Sequence, residues 1–207
     1  SVEAYYKRTS NMLMRVPESY TVTGEGYRWK NVGVMENKGL ELSADGDIIR
    51  TRDFTWNVSA NVSYNRNRLK ELYNGVTEYV NSTTGLKYVV DHSVSEFYMN
   101  RYAGVNPANG EQLWYDKYGN VTNVFRESDK VMTGKTYDAP WMGGFGTSVR
   151  WKGLQLSVQF SWIGERYVIN NDRYFEESGI TFGTAYNQSN RLLYDRWKQP
   201  GDITDIP

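Results

Sequence analysis

Residues 54–65 read Phe-Thr-Trp-Asn-Val-Ser-Ala-Asn-Val-Ser-Tyr-Asn. Phe54, Trp56, Val58, Ala60, Val62 and Tyr64 alternate without a miss against Thr55, Asn57, Ser59, Asn61, Ser63 and Asn65. Successive strand side chains point to opposite sides, so strict period two defines a β-strand with one apolar and one polar face. The pattern recurs along the chain: in residues 2–13, where Val2, Ala4 and Tyr6 alternate with polar partners and Tyr5, and in residues 39–49. It returns, less cleanly, in residues 97–105 and 111–116, joined by a Pro- and Gly-bearing turn at 106–110. The last pair is the clearest. Phe145, Thr147, Val149 and Trp151 alternate up to Lys152-Gly153, and Leu154, Leu156, Val158, Phe160 and Trp162 alternate after it. A two-residue, Gly-containing loop between alternating strands predicts a hairpin.

What lies between the strands narrows the fold further. Polar connections at 15–37, 66–96 and 117–140 and after 169 are long, whereas those at 50–53, 106–110 and 152–153 are short. Breakers in the long stretches include Gly24, Gly26, Asn74-Gly75 and Thr84-Gly85. Compact soluble domains rarely keep several structureless loops above about fifteen residues. Alternating short and long connections are the signature of an outer-membrane barrel, with short turns on the periplasmic side and long loops outside. The expected architecture is all-β: an antiparallel transmembrane β-barrel segment of about seven strands.

Composition agrees and excludes. Mean hydropathy is −0.67, yet the chain holds 17 Tyr and 7 Trp. No run approaches the roughly eighteen apolar residues of a membrane-spanning helix, but a spanning strand needs only about 9–11 residues with alternate apolar positions. Within strands the aromatics sit near the ends: Phe54 and Trp56 below, Tyr64 above, and likewise Trp151 below with Phe160 and Trp162 above. Aliphatics fill the middle, as in the girdled band of a membrane barrel. The lipid-facing set expected is Phe54, Trp56, Val58, Ala60, Val62, Tyr64, Val149, Trp151, Leu154, Leu156, Val158, Phe160 and Trp162. The lumen-facing set is Asn57, Ser59, Asn61, Ser63, Gln155, Ser157 and Gln159. A soluble carbohydrate-binding sandwich with an aromatic core is the competing reading.

Catalytic chemistry is thin. Zero net charge gives no reason to expect nucleic acid, and the absence of cysteine removes thiolate sites and cysteine nucleophiles. His92 is the single histidine and reads as a solvated loop residue. Glu176-Glu177 and Asp45/Asp47 read as solvated charge, because neighbours in sequence do not supply the separation across a cleft that paired carboxylates need. The cluster Gly143, Gly144 and Gly146 lacks the Lys and helix of a phosphate loop. It is read as easing a strand into the sheet. No catalytic, cofactor or metal residue is expected. Loop aromatics Tyr88, Tyr118, Tyr137 and Tyr186 could stack on sugars or peptides, or on one another.

Several segments resemble the SusC/RagA family of TonB-dependent outer-membrane transporters. The residues that carry it are Asn31-Val32-Gly33-Val34-Met35-Glu36-Asn37-Lys38-Gly39-Leu40-Glu41-Leu42, Asp53-Phe54-Thr55-Trp56-Asn57, and Tyr102-Ala103-Gly104-Val105-Asn106-Pro107-Ala108-Asn109-Gly110. Leu113-Trp114-Tyr115, the stretch from Pro140 to Gly144, Asp195-Arg196-Trp197 and Asp205-Ile206-Pro207 complete it. The resemblance runs in order through the whole chain, residues 1–207, and implies the C-terminal part of a barrel of about 22 strands. The plug, the TonB-contacting segment and the final strands would lie elsewhere in a longer protein. It further implies TonB-driven import of oligosaccharides or oligopeptides through the bacterial outer membrane, with a SusD-like surface lipoprotein and TonB as partners and no enzyme activity. A passive structural or adhesive barrel is the alternative within the membrane.

Overall fold

A computed structural model describes residues 1–81, 86–177 and 187–207. The chain divides into two units, one comprising Ser1–Phe97 and Gly134–Tyr167 and the other Tyr98–Thr133 and Val168–Pro207.

The first unit is built on a five-stranded antiparallel sheet whose strands are adjacent in chain order. They are β1 (Val2–Ser10), β2 (Val34–Arg50), β3 (Phe54–Glu71), β4 (Trp141–Trp151) and β5 (Leu154–Gly164). Residue pairing follows the alternation seen in the sequence. Trp151 lies opposite both Phe54 and Leu154, and Phe145 opposite both Ala60 and Phe160. On the other flank Leu40 faces Tyr64, Leu42 faces Val62 and Ala44 faces Ala60, with a bulge between Asp47 and Ile49. Both tight connections, 51–53 and Lys152-Gly153, fall at one end of the sheet, where the Lys152 amide donates to the Asp53 carbonyl at 3.0 Å. Lys152 and Gly153 have φ of 45° and 90°. Two successive left-handed residues twist a two-residue turn in the sense the flanking strands require. The chain leaves the sheet after Ser10 and Glu71 and re-enters it at Val34 and Trp141 at the other end.

The expected strands at 97–105 and 111–116 are displaced from this sheet, and β3 pairs directly with β4 along eleven positions from Phe54↔Trp151 to Tyr64↔Trp141. The displaced pair does form antiparallel strands, Arg101–Val105 and Gln112–Tyr115, but in a separate three-stranded sheet with Val121–Thr122. Length is the physical reason. Five and four residues fall short of the roughly 9–11 that a spanning strand needs. Removing an adjacent up-and-down pair leaves the direction of every other strand unchanged, so the short turns still gather at one end.

β2 and β3 run much further than polarity alternation suggested, through 17 and 18 residues. Above Tyr64 the face that carried Val58 to Val62 continues as Arg66, Arg68 and Lys70, so the contrast between faces vanishes while the hydrogen-bond ladder goes on. At that end a small hairpin, Leu13–Pro17 with Tyr27–Asn31, packs near a buried cluster of Val16, Val34, Leu69 and Leu72. The connection also covers the upper edge of β3, where the Leu69 amide donates to the His92 carbonyl and the Asp91 amide to that of Leu69.

The second unit has its own anchors. Tyr102, Trp114 and Phe125 stack edge-on in series at 5.1 and 4.9 Å between centroids. The 106–110 turn is closed by the Asn106 carbonyl accepting from the Gly110 amide. Trp197 lies on Gly110, where any side chain would meet its ring, and its indole donates to the Pro107 carbonyl at 3.1 Å. These are residues that carry the family resemblance, and here they brace a loop structure.

Candidate functional site

The sheet of the first unit presents two unlike faces. On one side Leu40, Leu42, Ala44, Val58, Ala60, Val62, Phe145, Val149, Leu156 and Val158 form an aliphatic and aromatic field, bounded by Phe54, Trp56 and Trp151 at the tight-turn end and Tyr64, Trp141 and Trp162 at the other. All residues expected on the lipid side fall on this face. Much of it is uncovered: Leu154 is 71% exposed, Leu156 66% and Phe160 51%. The accessible surface of the chain is 14601 Å², whereas a folded monomer of 24.0 kDa exposes about 9900 Å². An uncovered apolar field of this extent marks an interaction surface.

Local chemistry fits the field together. Gly143 faces Trp162 in the register, and a Cβ there would meet the Asn61 carbonyl at 2.5 Å and the indole at 2.8 Å. The glycine thus makes room for a tryptophan, a more specific role than easing the strand into the sheet. The Tyr64 and Trp141 rings pack tilted at 44° with centroids 4.5 Å apart, and Phe145 stacks on Phe160 at 4.7 Å.

The opposite face carries Ser43, Asp45, Asp47, Asn57, Ser59, Asn61, Ser63, Ser148, Gln155, Ser157 and Gln159, with Gly144 and Gly146 between them. Every residue expected to line the lumen is here. Its hydrogen bonds run sideways between strands: Asn57 Nδ2 donates to Asp47 Oδ1 at 3.1 Å, and Asn67 Nδ2 to Asn37 Oδ1 at 3.0 Å. Tyr5 lies flat over Gly39 and donates to Asn65 Oδ1 at 3.1 Å, so it bridges three strands. Asp45 and Asp47 are therefore strand residues of this face, not loop charge, and Asp47 also pairs with Arg50.

Beyond the polar face lies a cleft of about 610 Å³ lined by Asn65, Asn67, His92, Ser93, Glu96 and Tyr167, among others. His92 Nδ1 is 2.9 Å from Glu96 Oε2, and Glu96 Oε1 accepts from the Gly134 amide at 2.7 Å. Glu96 is 6% exposed, so the histidine is held in place and not merely solvated. Among the described residues no nucleophile stands in hydrogen-bond contact with the His92 ring. Among the described residues no cluster of three or more potential ligands could hold a metal ion.

In the second unit Glu177 accepts from Arg173 Nε at 2.6 Å and from Arg191 Nη1 at 2.8 Å. Asp205 accepts from the same two guanidinium groups, each at 2.7 Å. Hydrogen bonds from Arg173 and then Arg191 hold the Asp205 carboxyl below its usual range. Partial burial acts to raise Glu177, but the two arginines outweigh it and its carboxyl too is lowered. Glu177 is thus an ion-pair hub, while the loop aromatics divide: Tyr88 stacks on Tyr79, Tyr137 meets Phe97 edge-on, and Tyr118 is exposed. Tyr186 and Thr84-Gly85 lie outside the described residues.

The family described as TonB dependent receptor-like, beta-barrel matches residues 1–201. TonB-dependent receptor SusC of Bacteroides thetaiotaomicron is 26% identical over 206 residues, covering 91% of this chain and 20% of that protein. TonB-dependent receptor P39 of Formosa agariphila is 25% identical over 255 residues, covering 100% of this chain and 24% of that protein. Solved structures of the RagAB peptide transporter, and of the RagAB peptide importer in the open-open state, are 34% identical and superpose over 100% of this chain with TM-scores of 0.84 and 0.86. They are matched over 23% and 22% of their own chains, so this chain spans about a fifth to a quarter of these relatives. An uncovered apolar sheet face with aromatic margins, a polar reverse face and these matches agree: the chain belongs to the TonB-dependent receptor β-barrel family, of which it forms part of the barrel.

Proposed function

We propose that the apolar face of the five-stranded sheet meets lipid and the polar face lines the lumen of an outer-membrane importer of the SusC type. The observation that carries the reading is the register that sets Leu42, Val62, Gly143 and Trp162 on one face and Ser43, Asn61, Gly144 and Ser161 on the other, across four strands. Ten residues separate Phe54 from Tyr64; at about 3.3 Å each and a tilt of about 40°, they rise about 25 Å, the height of a barrel's apolar band. Both outer strands of the sheet, β1 and β5, have a free edge, and unpaired edges do not survive in hydrocarbon. In the full protein they pair with further barrel strands.

The cargo is an oligopeptide or an oligosaccharide, brought across with energy delivered by TonB and with a SusD-like lipoprotein at the cell surface. The Asn, Ser and Gln lining suits hydrated cargo, since it offers donors and acceptors without strong charge. The polar cleft beside His92 and Glu96 lies at the long-loop end, where cargo arrives. Uptake of size-graded peptides and glycans into cells with and without the full-length receptor, and with and without functional TonB, tests this. Loss of uptake of one class when either component is removed is the expected result. Uptake that proceeds unchanged without TonB contradicts it.

A further inference from the structure

The apolar face does not end at Tyr64. Its register continues into charge, with Lys38 directly opposite Arg66 and Glu36 opposite Arg68, while Tyr6 and Arg8 of β1 lie beside Lys38 and Glu36. Lys70 follows on β3. Like charges set directly opposite in a sheet repel, yet Lys38 and Arg66 occupy such a pair.

The two carboxylates nearby neutralise these cations only in part. Glu36 accepts from the Tyr6 hydroxyl at 2.6 Å and from Arg8 at 3.4 Å, and its distance to Lys38 Nζ is 3.9 Å. Asp91 is engaged by Lys70 through its side chain. Arg68 donates to the neutral backbone carbonyl of Asp91 at 2.6 Å and so keeps its charge. Arg66 is exposed and has no hydrogen-bonding or ionic partner among the described residues. The six residues Glu36, Lys38, Arg66, Arg68, Lys70 and Asp91 line a recess of about 330 Å³. Four cations against two carboxylates thus leave a surplus of two positive charges at one recess.

Height decides what could fill it. Arg66 and Arg68 lie two and four residues past Tyr64, which at about 3.3 Å per residue and a tilt of about 40° places them about 5 and 10 Å above the aromatic margin. A bilayer's headgroup layer is about 5–8 Å thick on each side of its hydrocarbon, so Lys38 and Arg66 lie within it and Arg68 just beyond its outer boundary. We infer that Lys38, Arg66 and Arg68 form a binding site on the outside of the barrel for a phosphorylated lipid headgroup of the outer leaflet. The inference rests on the lipid-facing assignment proposed above. Acyl chains lie against Tyr64, Trp141 and the aliphatic field below while the phosphate bridges the opposed Lys38 and Arg66, relieving their repulsion.

The test uses the full-length receptor, delipidated in detergent with chelator present so that no divalent cation bridges Glu36 or Asp91 to the lipid. Native mass spectrometry then follows titration with doubly phosphorylated lipid A, dephosphorylated lipid A and inorganic phosphate. Each cation near a membrane surface contributes about fivefold to the binding of anionic lipid, so Lys38→Gln with Arg66→Gln weakens the phosphorylated lipid about 25-fold and leaves the dephosphorylated lipid unchanged. Equal loss for both lipids, or no loss, overturns the inference, and displacement of lipid A by equimolar inorganic phosphate assigns the recess to a free anion and overturns it too. A spin label at Leu156→Cys in nanodiscs separates the two claims. Oxygen accessibility typical of hydrocarbon with no phosphate dependence refutes only this site, whereas water-like accessibility refutes the lipid-facing assignment beneath it.

Discussion

The Trp56 indole Nε1 donates to the Thr147 hydroxyl at 2.8 Å across β3 and β4, on the apolar face of the sheet. Thr147 in turn donates to the Asn57 carbonyl at 3.3 Å. The one polar side chain in the series Phe145, Thr147, Val149, Trp151 thereby satisfies the indole of Trp56, at the inner edge of the aromatic margin. In water this arrangement would matter little, because solvent could replace the threonine. In hydrocarbon nothing can.

Thr147→Val tests that difference. It keeps the shape of the side chain and removes the acceptor, so the account expects a loss of about 1–3 kcal/mol in barrel stability from the stranded indole donor. Trp56→Phe combined with Thr147→Val should recover part of that loss, because both partners are then apolar. A folding titration of the full-length receptor into bilayers measures both, and a change below about 0.5 kcal/mol for Thr147→Val argues for a hydrated face.

Gly143→Ala probes the packing of the upper aromatic margin. The added methyl meets the Asn61 carbonyl, which is backbone and cannot swing aside, as well as the Trp162 ring. Overpacking of this kind costs about 1–3 kcal/mol. Gly153→Ala is the contrast, with open space around the new Cβ but φ at +90°, so its loss is one of backbone strain and leaves Trp162 unmoved. The fluorescence emission of Trp162, in a background with the other margin tryptophans replaced, distinguishes the two.

The ion-pair hub of the second unit carries a pH dependence. Asp205 and Glu177 both have lowered carboxyl pKa values. Stabilisation from a lowered carboxyl is fully present above the unfolded value of about 4 and is lost as pH falls through the folded value. Amide-exchange protection of residues 191–206 is therefore expected to be flat from pH 7 to 5 and to decline below about pH 4. Asp205→Asn should lower protection at pH 7 by less than about fivefold, as suits a half-exposed ion pair, and should blunt the decline in acid.

Much of this architecture is written in the sequence at the level of alternation. Residues 54–65 and the hairpin around Lys152-Gly153 are strands because their polarity switches at every step, and the two faces follow at once. Alternation fails as a guide above Tyr64. There the residues on the apolar side of the sheet become Arg66, Arg68 and Lys70, so β3 continues to Glu71 without an apolar signal. Gly143, Gly144 and Gly146 hide the first turns of β4, because glycine has no polarity to alternate. Residues 101–115 mislead in the opposite direction. Their aromatics pack on one another through Trp114, and only strand length sets them apart from the five-stranded sheet. Of the polar cleft, His92 was visible but its partner Glu96 was not, since no periodicity links them. Arg173, Glu177, Arg191 and Asp205 are brought together by loop folding that local pattern does not encode.

The face assignment underlies the whole account, and one pair of variants tests it directly. Val58 lies four residues above Phe54 and six below Tyr64, close to mid-depth, with its neighbours Gly46 and Thr147 on the same face. Asn61 is three residues away on the opposite face. In a bilayer folding titration of the full-length receptor, Val58→Lys is expected to cost about 2–4 kcal/mol, the cost of lysine at the hydrocarbon midplane, and Asn61→Lys below about 1 kcal/mol. Equal losses for the two variants, or a larger loss for Asn61→Lys, would contradict the account.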